Sequence, residues 1–171
     1  HYMRGSPYFM RLMIGLNEPK DHRVGVDFSG TVEAVGSKVT KFQVGDEIFG
    51  GGDGAFGEYL LKNEESQSVA RKPADISHEQ AAAIPIAGIT AIQAVREHGK
   101  IKAGDKVLIN GASGGVGTLA VQIAKHYGAE VTGVCSTRNV DMVRSLGADH
   151  VIDYKQENYT QNGEQYDVIL D

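Results

Sequence analysis

The sequence holds a single cysteine, Cys135, so no internal disulfide is possible, as expected of a chain kept in a reducing compartment. No apolar run approaches the roughly 18–20 residues needed to cross a bilayer, and the N-terminus lacks a signal-peptide pattern. Lys and Arg number 17 against 22 Asp and Glu, for a net charge of −5, and no basic run occurs. That balance argues against nucleic acid, whose phosphates call for clustered Lys or Arg, and against acidic partners. His22, His78, His98, His126 and His150 stand singly, without the close pairing of a zinc site. With 171 residues, 41% of them hydrophobic, the chain reads as globular, soluble and cytoplasmic, long enough for one full domain or two partial ones.

What the sequence does contain is concentrated in Lys106-Val-Leu-Ile-Asn-Gly-Ala-Ser-Gly-Gly-Val-Gly117. Val107, Leu108 and Ile109 form a short apolar run suited to a parallel strand buried on both faces. Gly111, Gly114, Gly115 and Gly117 let the backbone turn tightly and approach a pyrophosphate, whose charge meets the unpaired N–H groups of a helix N-terminus. Val116, Leu119, Ala120, Ile123, Ala124 and Tyr127 then recur at helical spacing, Gly128 stops the helix, and a second strand runs from Glu130 to Cys135. Strand, turn, helix and strand in that order are the setting in which such a glycine motif binds a dinucleotide. The first glycine of the G-x-G-x-x-G frame is replaced by Ala112, small enough to keep the fold.

In an NAD site the second strand ends in Asp or Glu, about 20 residues past the motif, to hold the ribose hydroxyls. Here that end reads Cys135-Ser-Thr-Arg138, with no acid before Asp141. A carboxylate would repel the 2′-phosphate of NADPH; Ser136 and Thr137 can donate hydrogen bonds to it, and Arg138 can pair with it as a planar fork. The expected coenzyme is NADPH rather than NADH. Cys135 itself reads as a buried, inert thiol.

The first half of the chain has a different pattern, of short alternating runs broken by glycine. Asp27–Val35, Asp46–Phe49 and Gly57–Lys62 are expected as strands, with Gly50–Gly54 as a hairpin loop. Ser77 caps a helix over residues 78–83, with Gln80 placed for a capping box. Pro85 breaks that helix, and a longer one is expected from Gly88 to Glu97.

Gly25-Val-Asp-Phe-Ser-Gly-Thr-Val-Glu-Ala-Val-Gly36, Val44-Gly-Asp-Glu-Ile-Phe-Gly50, Ala87-Gly-Ile-Thr-Ala91, the Asn110–Gly117 turn and Leu146-Gly-Ala-Asp-His-Val-Ile-Asp-Tyr154 together resemble the medium-chain dehydrogenase/reductase superfamily. Within it they resemble the zinc-independent quinone oxidoreductase and zeta-crystallin-like branch. The resemblance covers essentially the whole chain. It implies an α/β protein: a partial GroES-like, β-rich catalytic domain over residues 1–86, then a partial Rossmann coenzyme domain, a doubly wound parallel sheet, over residues 87–171. Both ends look cut relative to the family, and homodimers of full-length members form through an edge strand that this chain lacks. Zinc-dependent members place a histidine ligand in the segment that here reads Gly25-Val26-Asp27, and carry a four-cysteine lobe. Val26 and a single cysteine imply no metal site.

The activity so implied is hydride transfer from NADPH to a small electron acceptor, a quinone or an α,β-unsaturated carbonyl, whose conjugation spreads the developing charge without a Lewis acid. By the same resemblance Tyr2, in Tyr2-Met-Arg-Gly5, matches an active-site tyrosine, Thr90 contacts the coenzyme, Ser113, Gly114, Gly115 and Val116 line its pyrophosphate, and Tyr154 lies near the adenosine phosphate. Two alternatives stay open: a coenzyme-binding protein without turnover, as lens crystallins of this branch illustrate, and an enoyl-thioester reductase domain of a larger synthase.

Overall fold

Ser29 and Phe49 face one another across an antiparallel pair in the computed structural model, which describes residues 23–161 and 163–171. The described residues divide into two compact units, one ending at Ala83 and the other running from Ile84 to Asp171. In the first, β1 (Asp27–Thr31), β2 (Glu47–Gly51) and β3 (Val69–Arg71) form a sheet in the order β1-β2-β3, antiparallel throughout. The first strand is shorter than its alternating sequence suggests. Val32 still exchanges hydrogen bonds with Asp46 and Gly45, after which Gly45, at φ 93°, turns its segment away.

Residues 57–62, expected as a strand, have no ladder partner among the described residues. The reason is competition for an edge: the side of β2 that does not face β1 is filled by Val69–Arg71, a strand of three residues, too short to show a period. Leu61 is left 97% exposed, and Lys62 instead donates through Nζ to the Gly51 carbonyl at 2.7 Å. Gly50, expected in a loop, lies within β2, where a Cβ would collide with the Ser68 carbonyl. The helix α1 (His78–Ala82) has the expected capping box, Ser77 and Gln80 each bonding the other's backbone. Its first residue, His78, ties it to the sheet through Ser29 Oγ at 2.8 Å and Glu47 at 3.2 Å.

The second unit is a parallel sheet with crossover helices, the Rossmann arrangement. Helix α2 (Pro85–Ile92) starts at the proline rather than at Gly88 and continues as a π-type turn over Gln93–His98. Pro85 is at the first helical turn, where its missing N–H costs nothing, so it begins one helix as well as ending the other. There follow β4 (Lys106–Asn110), α3 (Gly115–His126), β5 (Glu130–Cys135), a 3₁₀ turn at Thr137–Asn139, α4 (Val140–Ser145), β6 (His150–Asp153) and β7 (Val168–Leu170). The strand order β6-β5-β4-β7 is parallel at every pairing. Successive connections run outward from β4 to β6, then return to its other side with β7. That reversal makes a crevice at the carboxyl ends of the strands, where ligands of open α/β sheets bind.

Val107, Leu108 and Ile109 are buried on both faces of the sheet, as their continuous apolar run requires. Val107 and Ile109 pack with Val131, Cys135, Val143 and the inner face of α3, and Leu108 packs on the opposite face with Val134 and Ile152. The buried stripe of α3 is Gly117, Ala120, Val121 and Ala124. Val116 and Tyr127, expected in that stripe, are exposed, because close seating of Gly117 on the preceding turn rotates the packed face toward its own i+3, i+4 and i+7 positions.

Candidate functional site

The β4–α3 turn is shaped by three requirements that a side chain would violate. Gly111 adopts φ 67°, in the left-handed region. A Cβ on Gly117 would lie 2.8 Å from Ala112 Cα and overlap the Gly111 carbonyl, so only glycine lets the helix start this close to the strand. Ala112 is fully buried, its N–H bonds the Val134 carbonyl at 3.0 Å, and its methyl faces Gly133 of β5. Alanine in the place of the motif's first glycine is thus accommodated by a glycine on the neighbouring strand.

Gly114 is the N-cap of α3, extended at φ −82° and ψ 170°, and it brings no side chain to satisfy the first turn. The first intrahelical bond is donated by Thr118 to the Gly114 carbonyl at 2.9 Å. The N–H groups of Gly115, Val116 and Gly117 therefore have no intrahelical acceptor. Gly114, Gly115 and Val116 are exposed, so the positive end of the helix opens to solvent. An anionic diphosphate fits this cradle: donors without intrahelical acceptors, and no Cβ at Gly114 or Gly115 to cover them.

Beside it, β5 ends at Cys135, and the chain continues through Ser136 into the 3₁₀ turn. Arg138 is exposed and forms no ion pair among the described residues. Thr137 is exposed in that turn, and Asp153 is 8% exposed at the end of β6. Hydrogen bonding from Thr137, with the Lys155 N–H at 3.0 Å and Gln156 Nε2 at 2.8 Å, holds Asp153 below the usual carboxylate range despite its burial. Burial, reinforced by the charge of Asp153, pushes the Cys135 thiol up, so it stays protonated and unreactive near neutrality.

The structure brings Ser113 and Ser136 together through a residue that pattern reading passed over. Asn139 Nδ2 donates to Ser113 Oγ at 3.0 Å and to Ser136 Oγ at 3.3 Å. An asparagine preceding the apolar positions of α4 reads as an ordinary N-cap, but its side chain makes no capping bond. Gly133 carried a signal, an isolated glycine within a strand, which marks a close backbone approach. Asp153 carried none that separates it from a solvent-facing acid. Tyr154 is exposed, with its N–H on the Cys135 carbonyl at 3.1 Å, which places it at the carboxyl end of β5. Thr90 is exposed on α2 and returns its hydroxyl to the Ile86 carbonyl at 2.7 Å; its helix approaches the cradle at Ala87, beside Gly115. Tyr2 lies outside the described residues. Among those residues no group of three or more His, Cys, Asp or Glu converges on a point that would hold a metal ion, and no helix is long and apolar enough to cross a membrane.

Comparison with known proteins agrees with this architecture. Residues 6–74 match the alcohol dehydrogenase GroES-like domain, and residues 115–171 match the zinc-binding dehydrogenase family. The chain is 39% identical over 159 residues to the mitochondrial NAD(P)H oxidoreductase RTN4IP1 of Bos taurus, covering 86% of this chain and 40% of that protein. Among solved structures, the quinone oxidoreductase from Coxiella burnetii superposes with a TM-score of 0.81 at 32% identity, over 97% of this chain and 56% of that one. The CurK enoyl reductase gives 0.80 at 31% identity, over 96% and 51%. The chain thus spans about half the length of the proteins it matches.

Proposed function

The chain belongs to the medium-chain dehydrogenase/reductase superfamily, in its quinone-oxidoreductase-like branch, and from that premise we propose that it serves an NADPH-dependent, zinc-independent reductase of quinones or α,β-unsaturated carbonyls. The observation that carries the coenzyme half of this reading is the pairing of an open, glycine-capped helix N-terminus with an exposed Arg138 on the adjoining turn that forms no ion pair among the described residues. The acceptor half draws its support from the named relatives, a quinone oxidoreductase among them.

Bound in the cradle, the coenzyme supplies the hydride. The chain's own residues do the positioning. The N–H groups of Gly115, Val116 and Gly117 hold the pyrophosphate, with the helix macrodipole adding attraction over the first turn. Ser136 and Arg138 take the 2′-phosphate, Arg138 as a charged fork and Ser136 as a neutral donor. The dry sheet beneath, formed by Val107, Ile109, Val131 and Cys135, keeps the turns rigid and so fixes the distance between the two anionic groups. Tyr154, at the carboxyl end of the neighbouring strand, is a candidate to border the adenosine, Thr90 to contact the coenzyme from α2, and Tyr2 to serve the acceptor.

The test is NADPH and NADH oxidation by the full chain with a panel of quinones and enones, with and without chelator. NADPH turnover that survives chelation is expected; turnover abolished by chelator, or faster with NADH, overturns the reading. A second reading, reduction of an enoyl thioester, is favoured by the likeness to the CurK enoyl reductase, and an enoyl-thioester substrate in the same panel separates it. Binding without turnover would leave a coenzyme-induced stabilisation of about 2.7 kcal/mol at a hundredfold excess over Kd, seen as a rise in melting temperature, with no acceptor reduced.

A further inference from the structure

A hydroxyl group has one proton to give and two lone pairs with which to accept, so its neighbours decide whether it can donate to an anion. Asn139 spends both Nδ2 protons on the serines, one on Ser113 Oγ at 3.0 Å and one on Ser136 Oγ at 3.3 Å. Each serine oxygen is thereby an acceptor toward Asn139, and neither hydroxyl proton has an acceptor among the described residues. The two serines lie on neighbouring turns, since Ala112 N–H on the Val134 carbonyl at 3.0 Å extends the β4–β5 pairing to the foot of both.

We propose that Asn139 is a positioning residue that turns the hydroxyl protons of Ser113 and Ser136 outward toward the two anionic groups of the coenzyme. This rests on the reading of the site as an NADPH cradle and deepens it: Asn139 aims the Ser136 hydroxyl at the 2′-phosphate, beside Arg138. Because Ser113 serves the pyrophosphate common to both coenzymes and Ser136 serves the group found only on NADPH, Asn139 affects affinity in general through one partner and preference through the other.

The experiment measures Kd for NADPH and for NADH by calorimetry on the full chain and on three variants. S136A is expected to lower the preference for NADPH about tenfold, the worth of one hydrogen bond to a charged group. N139L, of nearly the same shape but without donors, is expected to lower it about threefold in the parent and not at all further when added to S136A, because a residue acting through Ser136 has no effect once that hydroxyl is gone. NADH binding reports whether each variant is folded. A parent preference that N139L leaves intact, or an N139L loss that adds in full to that of S136A, overturns this inference alone. A parent chain that binds NADPH no better than NADH overturns the coenzyme reading and this inference with it.

Discussion

Gly114 and Gly117 lie three residues apart in one turn and answer to different constraints. Gly117 is buried, and a Cβ there meets backbone, 2.8 Å from Ala112 Cα, which cannot swing aside as a side chain would. G117A should lower stability by about 1–3 kcal/mol, the usual cost of overpacking, seen as a drop in the urea midpoint. Gly114 is exposed with an extended backbone open to any residue, and its Cβ would lie 3.2 Å from the Gly111 carbonyl. G114V should therefore fold, at a small cost, and bind neither coenzyme, because the branched side chain fills the space over the free N–H groups; a folded G114V that titrates normally with NADPH would mean the cradle lies elsewhere. Arg138 gives the complementary result. R138A should weaken NADPH about tenfold or more while NADH is nearly unaffected, and equal losses in a calorimetric titration would remove Arg138 from the reading of the extra phosphate. At this scale the glycines were legible because each follows from a local rule about φ or close approach. Asn139 was not, since what sets it apart is Ser113, a partner 26 residues away on another turn.

The connection between α3, β5 and β6 depends on one lysine. Lys125 in the last turn of α3 donates to both oxygens of Asp149 at 2.8 Å and to the Ala129 carbonyl at 3.0 Å, and Asp149 also accepts the Val131 N–H at 2.7 Å. Burial pushes the Asp149 carboxyl up, but the Lys125 bond and the Val131 N–H outweigh it and hold it below the usual range. Both side chains are about one-third exposed, so solvent screens the pair, and D149N should cost only about 1 kcal/mol. The sharper check is its pH dependence: the parent gains this stability above the unfolded value of 3.8 and loses it as pH falls through the lower folded value. The difference between parent and D149N should therefore shrink below pH ~4; a difference of the same size at pH 3 and pH 7 would assign the effect to packing. In the second unit β4, α3 and β5 were legible because a run of apolar residues or a helical period spans each. Those of the first were legible only in part: β3 has three residues, and the 57–62 segment alternates like a strand, yet which of two segments pairs with β2 is settled by tertiary competition, which no local window contains.

Over the whole molecule, the carboxylates with resolved shifts all move in one direction. Asp46 is lowered by the Gln43 N–H and by Arg71, Glu47 by Lys72, Glu64 by the Lys41 and Thr40 N–H groups, Glu79 by Ser77, and Asp153 by Thr137, with Asp149 as above. They are spread over both units, so both share the consequence. A folded pKa below the unfolded one means that the native state favours the deprotonated form. The stability so gained is complete above the unfolded values of 3.8 and 4.5 and drains away as pH falls through the folded ones. Charge balance acts in the same sense. The net −5 at neutral pH shrinks with the first protons taken up, which relieves repulsion. Once the carboxylates are neutral, 17 Lys and Arg and 6 His repel one another without compensation, which disfavours the compact state. Urea midpoints should therefore be similar at pH 7 and pH 5 and fall steeply by pH 3, with a larger proton uptake by the unfolded chain across that interval. A midpoint that holds or rises from pH 5 to pH 3 would mean that these hydrogen-bonded carboxylates are not, in solution, the groups that couple folding to protons.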